Sequence, residues 1–139
     1  MILLDTNVIS EFMAPTPNMR VVDWLDRQPR SSVWTTSVNV YEIRAGLLAM
    51  PVGKRRSGLE TYFQQLLQRT LNGRVIDFDM ASAERSAELS ASRRKRGRPT
   101  DTRDTMIAGI VLANHATLAT RNVKHFEDIA KSVVNPWDT

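Results

Sequence analysis

No cysteine occurs anywhere in this chain, and there are only two histidines, His115 and His125. The first absence excludes a disulfide framework, thiolate chemistry and Cys-based zinc sites. The second makes a Ser-His-Asp triad or a His-rich metal centre a poor fit. No apolar run approaches the ~20 residues needed to span a bilayer. No signal peptide is visible either, because Asp5 interrupts the only apolar start and no basic segment precedes it. A cytoplasmic protein without a membrane partner is the expectation. With 139 residues and 42% apolar composition, the chain has enough material for one domain over residues 1–139 with a real core. The net charge of +4 is modest for a partner of polyanions, so its distribution matters more than its size.

The opening MILLDTNVIS carries the strongest local signal. Ile2-Leu3-Leu4 followed by Asp5, Thr6 and Asn7 reads as a short buried strand closed by turn formers. Asp5 then sits at the carboxyl end of that strand, where ligands bind in open α/β sheets. A carboxylate there needs partners, since burying it unpaired costs several kcal/mol. Two readings stand side by side: Asp5 caps the next turn, or it holds a cation.

Strand-like and helix-like segments alternate along the rest. Asn18 to Arg27 is helical, with Pro15 and Pro17 marking the turn before it. Val33-Trp34-Thr35 is a second strand. Ser37 caps a helix with Val38, Tyr41, Ala45 and Leu48 on one face, ending near Pro51 and Gly53. Leu59, Tyr62, Phe63, Leu66, Leu67 and Leu71 form the cleanest apolar stripe, ended by Gly73. Val75-Ile76 is a third strand, followed by an alanine-rich helix from about Met80 to Lys95. Asp101 begins another helix, in which Ala108 and Gly109 permit close packing. Leu118-Ala119 and Val133-Val134 are the fourth and fifth strands. Such alternation implies a parallel sheet between helices.

Three acids fall at comparable places: Asp5 after the first strand, Glu42 in the helix after the second, and Asp104 in the first turn of the helix before the fourth. Strand ends and helix starts gather at one edge of a parallel sheet, so these carboxylates can converge. An all-oxygen set suits Mg²⁺ or Mn²⁺. The plainer alternatives are that Asp101 and Asp104 form an N-terminal cap, that Glu42 is a solvated helix residue, and that His115 and His125 are a helix-end charge and a surface loop residue. Asp77 and Asp79 after the third strand leave a phospho-accepting signalling domain open, although Asp5 lacks the acidic neighbour that such a site needs.

The second concentration of signal is Arg93 to Pro99, in which five of the first six residues are basic. Arg93, Arg94, Lys95, Arg96 and Arg98 suit contacts to a nucleic-acid backbone; a solvated helix end is the alternative. Arg96-Gly97-Arg98-Pro99 also resembles an AT-hook core, which would make the chain a non-catalytic DNA-binding protein. Separately, Phe12, Met13, Trp24, Trp34 and Trp137 exceed what a small core plainly needs. Some are expected in an exposed patch that serves a homodimer and an apolar groove near the first helices.

Together, MILLDTNVIS, Tyr41-Glu42-Ile43-Arg44-Ala45-Gly46, Asp104-Thr105-Met106-Ile107-Ala108, Ala119-Thr120-Arg121-Asn122 and the closing Asn135-Pro136-Trp137 resemble the PIN-domain toxins. Among these the chain is similar to the VapC and FitB-like ribonucleases of bacterial toxin–antitoxin modules, in order and over its whole length. The resemblance implies a PIN-like three-layer α/β/α sandwich around a mainly parallel sheet of four to five strands. It also implies a Mg²⁺- or Mn²⁺-dependent endoribonuclease acting on RNA. Its cognate antitoxin would carry a DNA-binding domain, so that DNA is met only through that partner, and a homodimer or a higher complex with antitoxin is expected. Carried over by position, the catalytic residues are Asp5, Glu42, Asp104 and Asn122, with the metal held by Asp5, Asp104 and Glu42. Asn122 stands where the family often has Asp, which leaves the number of ions open. Thr6 and Thr120 match small hydroxyl positions that support the acids.

Overall fold

The computed structural model describes residues 1–98 and 101–139. Five short strands form one all-parallel sheet: β1 (Ile2–Leu4), β2 (Val33–Thr36), β3 (Val75–Ile76), β4 (Thr117–Ala119) and β5 (Val133–Val134), in the order β3-β2-β1-β4-β5. The helices are α1 (Thr6–Met13), α2 (Met19–Asp26), α3 (Ser37–Ala49), α4 (Lys54–Gln65), α5 (Met80–Lys95) and α6 (Thr102–Ala113). Side chains alternate across a strand, so Leu3 and Leu4 enter different cores. Leu4 joins Val8, Ile9, Val21, Ile43, Phe63 and Leu66 on one face. Leu3 joins Ile107, Ile110, Val111, Leu118 and Phe126 on the other. Two apolar faces of one sheet require helices on both sides, which gives the three-layer sandwich.

From β1 the chain builds outward to β2 and β3, then crosses back to place β4 and β5 on the other side. The strand order therefore reverses between β1 and β4, and a crevice opens beyond their carboxyl ends. Pairing continues past the strand into this crevice, with Asp5 N donating to Ala119 O at 2.9 Å. Helix caps fix the approach of the helices: Asp5, Asn18, Thr36, Asp79 and Asp101 each accept a backbone N–H from the helix they precede. Asp79 is thus accounted for as the cap of α5. Gly109 brings α5 against α6; a Cβ there would collide with Ser86 Oγ and lie 2.6 Å from Ser82 O.

Three expectations need correcting. The cap of α3 is Thr36 rather than Ser37, which is already the first helical residue. Helix α3 buries Val38, Asn39, Ile43 and Leu47, whereas Tyr41, Ala45 and Leu48 lie on its exposed face. The larger side chains Ile43 and Leu47 fill the core instead, and Asn39 on the same face bonds to Asp5 and Thr6 just beyond β1. The surplus aromatic residues are also not an exposed patch: Trp24 and Trp137 are buried, and Phe12, Met13 and Trp34 pack partly buried against the two cores.

Candidate active site

Asp5 ends the central strand at the switch point, with its carboxylate 4% exposed as a residue and held from several directions. Its Oδ1 accepts from Thr6 N at 2.8 Å and from Asn39 Nδ2 at 2.9 Å. Its Oδ2 accepts from Thr120 Oγ1 at 2.7 Å and from Asn7 Nδ2 at 3.4 Å. The two readings of Asp5 are compatible: it caps α1 and still lines an open cleft of about 510 Å³. Glu42 and Asp104 line the same cleft, together with Asn122, Arg121 and Trp137.

Glu42 is held from α3 by Thr6, whose Oγ1 donates to its Oε1 at 3.1 Å, and has the Arg103 guanidinium 3.7 Å from Oε2. Asp104 stands third in α6, with Oδ2 3.1 Å from His125 Nδ1. Asp104 does not complete a reciprocal cap with Asp101. Asp101 caps α6 alone through Arg103 N at 2.8 Å, and this bond holds its carboxyl below the usual range. Glu42 is pushed above its ordinary value chiefly by burial; the Thr6 bond opposes this and the charge of Asp5 adds to it. Asp104 is raised by burial first and by Asp5 next, with His125 pulling the other way. Both half-buried acids thus carry a charge penalty that a cation in the cleft would relieve.

The donor chemistry fits a hard divalent ion. Among the described residues, however, no three acidic or imidazole groups are gathered closely enough to ligate one ion together. Two carboxylates with waters completing the sphere is the arrangement this set fits, and it is also what Mg²⁺ prefers. Asn122 lies at the cleft wall, its backbone N donating to Thr120 Oγ1 at 3.0 Å. Fully buried Thr120 therefore links the Asp5 carboxylate to the Asn122 backbone.

The family profile of the PIN domain matches residues 2–132. The chain belongs to the PIN-domain family. It is 44% identical over 138 residues to the plasmid stability protein StbB of Pseudomonas syringae pv. tomato, covering 99% of each chain. It is 36% identical over 138 residues to the VapC ribonuclease Y4jK of Sinorhizobium fredii, again covering 99% of each. The crystal structure of FitAcB from Neisseria gonorrhoeae superimposes with a TM-score of 0.90 at 34% identity, covering 100% of both chains.

In this PIN domain the basic run is not one surface. Arg93 is 4% exposed, and its guanidinium forks onto Asp128, with Nε 2.7 Å from Oδ2 and Nη2 2.9 Å from Oδ1. That pairing holds the Asp128 carboxyl below its usual range and removes Arg93 from any nucleic-acid contact. The expected RNA-binding role of Arg93 is corrected accordingly. Its neighbours Arg94, Lys95 and Arg96 are exposed, while Arg98 pairs with Glu127. The last residue of the AT-hook-like quartet, Pro99, lies outside the described residues.

Three further contributors escaped the sequence reading. Fully buried Asn39 donates to Asp5 Oδ1 and to Thr6 Oγ1 at 3.0 Å. Its signal was positional: Asn39 and Glu42 are three apart and share a helix face. Asn7 spans Asp5, Thr120 and the Arg121 backbone. His125 is more than a surface loop residue, because it meets Asp104 across the cleft edge.

Proposed function

We propose that this PIN domain is a divalent-metal-dependent endoribonuclease and the toxin of a toxin–antitoxin pair. The observation that carries this reading is the convergence of Asp5, Glu42 and Asp104 on one cleft at the switch point of the sheet. The VapC ribonuclease among its relatives and the FitAcB fold support it.

Asp5 and Asp104 would hold Mg²⁺ or Mn²⁺, and Glu42 would face a water of its sphere. The ion, when bound, supplies charge neutralisation at the phosphate and acidifies water. Glu42, held at the cleft by the Thr6 hydroxyl, would accept the proton of the attacking water. Neutral Asn122 would offer a hydrogen bond to water or a carboxylate without charge. Thr6 and Thr120 aim the carboxylates through their hydroxyls. Exposed Arg94, Lys95 and Arg96 would meet the RNA backbone.

For the antitoxin, a groove of about 240 Å³ beside α1, α2 and α4 is lined by Phe12, Val22, Leu25, Tyr62 and Leu66 together with Asp26, Gln28 and Arg30, an amphipathic seat for a partner segment. We place a second copy of this chain on the exposed stripe Tyr41, Ala45, Leu48 and Val52 of α3 and its continuation. No helix among the described residues is long and apolar enough to cross a membrane.

The test is degradation of RNA by purified protein with Mg²⁺ or Mn²⁺, stopped by chelator. Asp5→Asn keeps the shape of the side chain, removes its charge and is expected to abolish cleavage. Undiminished metal-dependent cleavage by folded Asp5→Asn would remove the assignment.

A further inference from the structure

The closing Asn135-Pro136-Trp137 is the part of the family-like pattern that the acids leave unexplained. Its local chemistry serves to pin one ring. Asn135 Oδ1 accepts from Trp137 N at 2.9 Å, and its Nδ2 donates to Asp138 Oδ2 at 3.1 Å. Pro136 opens the short 3-10 turn Pro136–Asp138, and Arg20 Nη1 reaches the Trp137 carbonyl at 3.5 Å. Trp137 is thereby held almost entirely buried in the wall of the acidic cleft.

What rests on that ring is Arg121. Its guanidinium carbon lies 5.0 Å from the Trp137 ring centroid, and the residue is otherwise exposed in the cleft. The root of the side chain is tied down as well, since Arg121 N donates to Asn7 Oδ1 at 3.0 Å and Asn7 also reaches Asp5. Among the described residues no carboxylate pairs with this guanidinium, whereas Arg93, Arg98 and Arg103 each have one. A cation facing a cleft of acids would ordinarily fold onto one of them. Here an aromatic face holds it at the wall, and among the described residues its donors meet no other partner.

We propose that Arg121, laid on Trp137, seats the RNA strand next to the scissile phosphate. Its edge N–H groups take a phosphate oxygen, and its outer face carries the flanking base. This deepens the ribonuclease reading and rests on it. An anionic strand entering a pocket of carboxylates needs counter-charge at the point of entry. Arginine supplies that charge together with a planar platform for an unpaired base, while lysine supplies the charge alone. The ring beneath it is what separates Arg121 from the exposed cations of the basic run.

The experiment uses the full chain and a labelled single-stranded RNA, with binding read by anisotropy in chelator and cleavage read separately with Mg²⁺. Arg121→Ala is expected to raise Kd and KM by about tenfold, the loss of one stacked base, with kcat nearly unchanged. Arg121→Lys should recover only a small part of the loss. Circular dichroism checks the fold of each. Parent-like binding and KM in folded Arg121→Ala would overturn the proposal while leaving the ribonuclease intact. Full recovery by Arg121→Lys would overturn the stacking platform. A parent that binds RNA without cleaving it would remove the ribonuclease reading, and the binding arm would still decide for or against Arg121. A parent that does not bind RNA would overturn both.

Discussion

Asn39 is expected to be the most costly single polar deletion outside the acids. Its side chain is fully buried and makes three hydrogen bonds: to Asp5 Oδ1 at 2.9 Å, to Thr6 Oγ1 at 3.0 Å and from Thr36 Oγ1 at 2.6 Å. The first goes to a carboxylate and is worth about 1.5–3 kcal/mol; each neutral bond adds about 0.5–1.5 kcal/mol. Their sum is about 2.5–6 kcal/mol, and water entering the vacated space would bring the loss toward the lower end, about 3 kcal/mol. That is a large share of the roughly 5–15 kcal/mol of a typical domain. Asn39→Ala, followed by urea denaturation, should lower the midpoint by the corresponding amount with the slope unchanged. A double-mutant cycle with Asp5→Ala assigns the loss to the carboxylate, because the same change should cost clearly less once Asp5 is gone. A loss below about 1 kcal/mol, less than even one charged hydrogen bond, or an equal loss in both backgrounds would refute the claim that Asn39 acts by holding Asp5.

Three other outcomes follow from the same contacts. Gly109→Ala should destabilise the α5–α6 contact by about 1–3 kcal/mol in thermal unfolding despite the better helix propensity of alanine, since the new Cβ meets the Ser82 backbone. Asp128→Asn should cost about 3–5 kcal/mol by leaving the buried Arg93 charge without its counter-ion, whereas Arg94→Gln should leave stability alone and reduce the salt dependence of RNA binding. Glu42 and Asp104 have raised folded-state values, so their contribution is present below the ordinary 4.5 and 3.8 and is lost as pH rises through the raised values. Glu42→Gln should therefore stabilise the metal-free protein at neutral pH, the gain vanishing on acidification. In the parent, the thermal shift on adding Mg²⁺ should be large at neutral pH and fade as these acids protonate.

What the sequence made legible was whatever neighbouring residues decide among themselves. Ile2-Leu3-Leu4 before Asp5 can be read because a buried strand and its terminating turn are local matters, and both leucines are indeed fully buried on opposite faces. Asp101 could be read as a cap for the same reason. Asn39 could not, because a buried amide is explained only by a carboxylate 34 residues away. Helix α3 shows the consequence: it carries an apolar stripe through Tyr41, Ala45 and Leu48, yet this stripe faces out while Ile43 and Leu47 enter the core and Asn39 beside them meets Asp5.

Arg93 makes the complementary point. Inside a run of basic residues it looks like one more solvated cation. Yet it continues the inward face of α5 through Ser82, Ser86 and Leu89, at spacings of four, three and four. A guanidinium on such a face must either drag the helix end into water or find a carboxylate, and Asp128 comes from the 3-10 segment Val123–Ser132 across the core. That segment also carries His125, whose carbonyl accepts from Arg93 Nη2 at 3.3 Å. The buried pair therefore holds in place the loop that brings imidazole to Asp104. One arginine of the run thus positions the edge of the acidic cleft, while Arg94, Lys95 and Arg96 beside it stay exposed.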